Sequence, residues 1–361
     1  MMEDLGHRRV QCTGRGSYII CLPKKWVQDT GLKKGSEIAF KASDDLSLIL
    51  IPSSSERAKH NEAILKEYKV ILESNEDLQT VYRKVKSLYV SGAELIRISF
   101  RSKGSMGFKT VINNLVRNTL LGSEIIDETN NEMVIQILVK YPEFPVDRAI
   151  RRMSIIALSA HRDALAMLKN MDKNLIQNII DAYNDVNRLN LYIVRQLKFG
   201  VERNLFRELG FKTPKEFLAY RIVVNDVKSI AENARNIMNN IVMLRKMVEN
   251  QTLFVKEMID EEIYSQILKF DSFAHKLFEQ SLMATFKWDY FQADEIISQT
   301  ESLSALENDL INLISSKKLD PNISAIFRLI FDSSRRIIEY ARDIAEVTLN
   351  KTVEEITYGK K

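Results

Sequence analysis

Five basic side chains near the N-terminus, Arg8, Arg9, Arg15, Lys24 and Lys25, are the residues whose types and spacing most directly suggest chemistry. Against Glu3 and Asp4 they give residues 1–25 a charge of 5 − 2 = +3 before His7 is considered. Clustered guanidinium and ammonium groups displace counterions from a phosphate backbone, so the ligand they point to is a nucleic acid. Gly14 and Gly16 flank Arg15 and let the backbone come close to a phosphate. The competing reading of the same residues is a solvated loop on a domain kept only for dimerisation.

Catalysis would need a positioned acid, base or metal. Of the four histidines, His7, His60, His161 and His275, none has an i+3 or i+4 carboxylate partner matching the Glu-x-x-His motif of di-iron helical bundles. His161 follows Ala160 on a mostly apolar stretch and reads as a partly buried packing residue. The two cysteines, Cys12 and Cys21, have neither metal-ligand spacing nor a redox motif, which suits a reducing cytoplasm. Ser105-Met106-Gly107 lacks the spacing and lysine of a phosphate-binding loop. The expectation is therefore no enzyme, no catalytic residue, no metal and no cofactor.

The elements that must carry these residues follow from pattern. With 45% hydrophobic and 28% charged residues and a net charge of +4, the 361-residue chain reads as a soluble, multidomain protein. No apolar run approaches bilayer length and the N-terminus lacks a signal-peptide pattern, so no membrane insertion is expected. The six prolines punctuate the chain: Pro23, Pro52, Pro142, Pro145, Pro214 and Pro321 all fall where elements should begin or end. Residues 7–52 read as a strand Tyr18–Leu22, a short helix from Pro23 to Gly31, and a hairpin of 37–41 with 47–51 turning at Asp44-Asp45. So small a unit buries little surface alone, and a second subunit is the expected supplement. After a Ser53-Ser54-Ser55 linker, residues 59–141 read as a βαβαββ unit with helices on one face of a small sheet. Its Arg97, Arg101, Lys103 and Lys109 read as a solvated basic edge.

From Pro145 onward the pattern is helical, and one stretch is written twice. A shift of 320 − 213 = 107 residues carries Thr213-Pro214 onto Asp320-Pro321. The same shift carries Arg221 onto Arg328, Ile230 onto Ile337, Glu232 onto Glu339, Ala234 onto Ala341, Arg235 onto Arg342 and Ile237 onto Ile344. Val223, Val227, Ile230, Ala234, Ile237, Ile241 and Leu244 form one apolar seam, and Thr213, Pro214 and Glu216 make a helix start. A duplicated three-helix unit follows, with first-copy helices at about Val146 to Met171, Leu175 to Lys198 and from Thr213 onward.

Two family resemblances rest on these segments. Arg8-Arg9-Val10-Gln11, Thr13-Gly14, Ser17-Tyr18-Ile19-Ile20, Leu22-Pro23-Lys24-Lys25-Trp26, Gly31-Leu32 and Lys34-Gly35 resemble the AbrB/SpoVT swapped-hairpin domain. That resemblance implies an intertwined homodimer and DNA binding. Arg151-Arg152-Met153, His161-Arg162-Asp163-Ala164, Asp185-Val186-Asn187-Arg188-Leu189, Tyr220-Arg221-Ile222-Val223 and Lys228 to Ala234 resemble the PhoU family of phosphate-uptake regulators. Ser334 to Glu346 echoes the last of these in the second copy. The order of domains is similar to archaeal-type proteins that join an AbrB-like head to a PhoU body.

The resemblances imply a mainly α, multidomain fold in four parts. These are a swapped-hairpin β domain for dimerisation and DNA binding at 1–52, a small α+β domain at 59–141, and PhoU-like three-helix bundles at 142–250 and 251–350. They further imply a DNA-binding regulator of phosphate response, with DNA, a second copy, and a phosphate transporter ATPase or signalling protein as partners. The alternative is a PhoU-type adaptor that uses its head only to dimerise. PhoU proteins typically place carboxylates four apart on their second and third helices, and in several members these hold metal clusters. Here the matching third-helix positions are Lys228 and Glu232, then Arg335 and Glu339. On the second helix the aligned pair is Tyr183 and Asn187, while Asp181 and Asp185 sit two residues out of register, about 200° around the helix. A cation beside each glutamate satisfies it and repels a metal, so the expectation is ion pairs and no cluster.

Overall fold

A computed structural model of the chain describes residues 5–14, 16–42, 47–52, 66–73, 75–101, 106–139, 144–203, 206, 211, 213, 215–250 and 259–357. Arg15, Asp44-Asp45, the Ser53–Ser55 linker, Lys103, Pro142 and Pro214 lie outside them. The chain divides into two units, residues 1–66 and residues 67–361.

The first unit is built from two hairpins and a short helix. β1 (Gln11–Thr13) pairs antiparallel with β2 (Ser17–Ile19), Cys12 opposite Tyr18. α1 (Lys24–Thr30) follows Pro23 and stops at Gly31, whose φ of 68° is the left-handed cap that favours glycine. β3 (Ile38–Ala42) then pairs antiparallel with β4 (Leu48–Pro52), Phe40 opposite Leu50. The strand expected over Tyr18–Leu22 is thus shorter and shifted, because pairing with β1 ends at Ile19. No described residue of this unit is buried.

The second unit begins with a four-stranded sheet: β5 (Glu67–Leu72), β6 (Leu95–Phe100), β7 (Ser123–Glu128) and β8 (Glu132–Ile137), in the order β5-β6-β8-β7. β5 and β6 run parallel because α2 (Leu78–Val90) crosses between them, and the other pairings are antiparallel. Along β6 the buried Ile96, Ile98 and Phe100 alternate with outward Arg97 and Ser99. α2, capped by Asp77 on the Gln79 and Thr80 amides, and α3 (Met106–Asn118) close the core with Val81, Val85, Ile112 and Leu115. This is the βαβαββ unit the pattern implied.

The helices that follow form two bundles around one continuous apolar core. α4 (Val146–Ala166), α5 (Lys173–Arg203) and α6 (Glu216–Glu249) pack together as the first. α7 (Glu261–Lys287), α8 (Tyr290–Glu301), α9 (Ser304–Ser316) and α10 (Pro321–Thr357) form the second, and α6 packs directly on α10. The repeated positions behave alike: Ile230 and Ile337, Ala234 and Ala341, Ile237 and Ile344 are all buried. Asp320 accepts from the Asn322 amide at 2.8 Å and Pro321 opens α10. At the first copy the helix starts later than expected, at Glu216, whose carboxylate reaches back to the Thr213 N–H at 3.1 Å. Sheet and bundle are joined by Arg195 of α5, which donates to the Tyr89 carbonyl at 2.7 Å, and by Leu191, which packs into the sheet's core.

Two features depart from the duplicated pattern. The second helix of the second copy is broken at Ser302-Leu303, where no glycine or proline stands. Thr300 and Ser302 hydroxyls bond back to the Ile297 and Gln299 carbonyls at 2.7 and 2.8 Å, competing with the helix ladder. Trp288, at the C-terminus of α7, holds a φ of 55°, unusual for so bulky a residue. Among the described residues, no helix is long and apolar enough to cross a membrane.

Candidate functional site

Of the five basic residues expected to contact DNA, four are described. Arg8 and Arg9 lie exposed in the segment leading into β1, where Arg8 Nη1 donates to the His7 carbonyl at 2.8 Å. Lys24 and Lys25 are exposed at the first turn of α1. The same unit carries large apolar side chains that the single chain leaves open: Tyr18 is 77% exposed, Phe40 66% and Leu48 64%. Cys12 and Cys21 are free and exposed on the same unit. An isolated two-stranded hairpin is marginal in water, and here two such hairpins and one short helix share no buried residue.

Among the described residues, the basic side chains of the sheet domain's edge are paired within the chain. Arg97 bridges Glu67 and Glu132 at 3.0 Å each, Arg101 meets Glu73 at 3.0 Å, and Lys109 meets Glu128 at 3.3 Å. The bundle-face pairs also form as the sequence implied. Lys228 Nζ lies 2.6 Å from Glu232 Oε1, and Arg335 Nη1 lies 2.5 Å from Glu339 Oε1. Arg335 and Arg336 additionally engage Asp332. On α5, Asn187 donates to the Tyr183 carbonyl, while Asp181 accepts from Gln177 and Asp185 approaches Arg188.

Where the two bundles meet, three elements converge on a polar cluster inside the apolar core. α4 supplies His161, α7 supplies Asp271 and His275, and α10 supplies Ser333 and Ser334, all buried. His161 Nδ1 lies 3.2 Å from Asp271 Oδ1, His275 Nε2 lies 3.4 Å from Asp271 Oδ2, and the two ring nitrogens are 3.2 Å apart. The outer nitrogen of His161 meets Ser333 Oγ at 2.9 Å, and Ser334 Oγ donates to Asp271 Oδ1 at 2.7 Å. Arg162 Nη1 approaches His275 Nδ1 at 3.3 Å from the solvent side. Burial opposes charge on Asp271, yet its contacts with both histidines and Ser334 hold the carboxyl below its ordinary range. Burial pushes the His275 imidazolium down to about 4, so the ring is neutral at physiological pH. Among the described residues this is the one group of three His, Cys, Asp or Glu ligand atoms lying within 4.8 Å of one another.

This corrects the reading of His161 as a partly buried packing residue, since the ring is fully enclosed and polar-partnered. The signal was in the sequence as Asp271-x-x-x-His275, four apart on one helix face, but a Glu-x-x-His template passes over it. A second buried carboxylate, Asp226 on α6, was also missed. Burial first, then the nearby Asp343 charge, pushes it up to about 7, and its Oδ2 has no hydrogen-bond partner.

Residues 150–241 match the PhoU domain model. The chain carries a PhoU domain. Residues 11–58 match the model described as antidote-toxin recognition MazE, bacterial antitoxin, so a MazE/AbrB-like domain precedes the PhoU domain. Among solved structures, PhoU from Pseudomonas aeruginosa is similar at 15% identity with a TM-score of 0.39, over 58% of this chain and 96% of that one. No curated protein matches the chain.

Proposed function

We propose that this PhoU-domain chain is a cytoplasmic, non-enzymatic regulator of phosphate uptake that dimerises through its head and contacts DNA there. The observation that carries the reading is the head itself. It exposes Arg8, Arg9, Lys24 and Lys25 beside apolar side chains that the single chain leaves uncovered. A second copy that covers the apolar residues doubles the positive charge on one surface, and Arg15, which lies outside the described residues, belongs to the same basic segment of the sequence. The MazE/AbrB-like match supports the same partner class, and the PhoU match supports the link to phosphate and to a transporter or signalling partner.

Fluorescence anisotropy of a labelled duplex, measured against salt, tests this. Affinity is expected to fall by about 10³-fold or more between roughly 50 and 200 mM salt if six or more phosphates are neutralised. Arg9→Ala or Lys24→Ala should each lower the salt slope by about one per lost phosphate contact. A dimeric protein that leaves duplex DNA unbound at low salt would reduce the head to a dimerisation device.

A further inference from the structure

The buried cluster at the junction of the two bundles has the geometry of a vacant metal site. Two ligands held about 2.0–2.1 Å from a tetrahedral zinc ion lie about 3.3 Å apart. The three edges here are 3.2, 3.4 and 3.2 Å. Charge-assisted hydrogen bonds from nitrogen to carboxylate are shorter, about 2.7–2.9 Å.

Hydrogen bonding alone leaves the triangle frustrated. Protonating both inner nitrogens, His161 Nδ1 and His275 Nε2, sets two donors face to face at 3.2 Å. Protonating only His275 Nε2 turns the lone pair of His161 Nδ1 onto Asp271 Oδ1 at 3.2 Å. Protonating only His161 Nδ1 turns the lone pair of His275 Nε2 onto Asp271 Oδ2 at 3.4 Å. A cation at the centre takes all three inner lone pairs at once.

We infer that His161 Nδ1, Asp271 and His275 Nε2 bind one divalent first-row ion, with Zn²⁺ the best match to two imidazoles and a carboxylate. Water or the Ser334 hydroxyl completes the shell. The supporting contacts suit the role: His161 can donate its outer N–H to Ser333 Oγ, which fixes the ring, and Ser334 holds the carboxylate. Loading requires the exposed Arg162 to turn away, because a zinc-bound His275 carries its proton on Nδ1. The ion would tie α4 of one bundle to α7 of the other, leaving the pairs at Lys228–Glu232 and Arg335–Glu339 metal-free. The inference is independent of what the head binds.

The test uses the full chain, stripped with chelator and titrated with Zn²⁺ by calorimetry and with Co²⁺ by visible absorption. One equivalent of Zn²⁺ per chain is expected, with an intense tetrahedral Co²⁺ band and a rise in melting temperature on saturation. His275→Gln should weaken binding more than 100-fold. Because that buried position risks misfolding, Arg162→Ala provides a second arm at an exposed site, and it should keep one equivalent and bind several-fold tighter. Failure of the wild-type chain to bind in excess Zn²⁺ overturns the site. So does a folded His275→Gln variant that keeps wild-type stoichiometry and affinity.

Discussion

The helical body and the N-terminal head spend similar residues in opposite ways. In the body, Ile230, Ala234 and Ile237 and their second-copy counterparts are fully enclosed, and a single core runs through both bundles. In the head, Tyr18, Ile19, Ile20, Phe40 and Leu48 stand in the solvent of the lone chain, and no described residue there is buried. The body is a finished fold on its own. The head leaves its apolar residues uncovered in the single chain, and the proposed cover is a second copy. Under that proposal folding and assembly are separable in the body and inseparable in the head.

Substitutions sharpen that contrast, beginning with the largest effect. Phe278→Ala, at a fully buried ring in α7, should cost about 3–5 kcal/mol of body stability, independent of protein concentration. Chemical denaturation monitored by circular dichroism checks it, and a cost below about 1 kcal/mol would deny the body a packed core.

Next comes Asp226. Its folded-state carboxyl is raised from 3.8 to about 7, so the folded chain holds a proton that the unfolded chain has released. Stability is therefore intact below pH 4 as far as this group is concerned and is lost progressively as pH rises towards 7. The shift corresponds to at most about 4 kcal/mol. Asp226→Asn should remove that decline, and denaturation midpoints at pH 5 and pH 8 that move in parallel for both proteins would contradict it.

Phe40→Ala should behave unlike any body substitution. In a lone chain a ring 66% exposed matters little. Covered by a partner, it should weaken the dimer by about 1–3 kcal/mol, making the effect concentration-dependent. An unchanged dissociation constant by sedimentation would remove Phe40 from the interface. The smallest effect belongs to the bundle surface, where Lys228→Ala should cost under about 1 kcal/mol because its pair with Glu232 is half-exposed. A larger loss in a thermal melt would mean that pair is more than a surface contact.

Much of this was legible in the sequence because periodicity and caps are local signals. The seam from Val223 to Leu244, Pro321 after Asp320, and Gly31 closing α1 all mark elements the structure contains. The break at Ser302-Leu303 was not legible, because hydroxyl back-bonding leaves no glycine or proline behind. The buried cluster was hidden for a different reason. His161 and Asp271 are far apart in sequence, and only the packing of α4 on α7 brings them together. The four described basic residues of the head were named from sequence, but their surroundings emerge only when the unburied hairpins are seen beside them.

The most direct measurement is the solution mass of the full chain beside a chain lacking residues 1–55, both by light scattering. A dimer is expected for the full chain and a folded monomer for the truncation, with a helical melting transition close to that of the parent. A truncation that keeps the dimer mass would contradict it, because the body and not the head would then join the subunits.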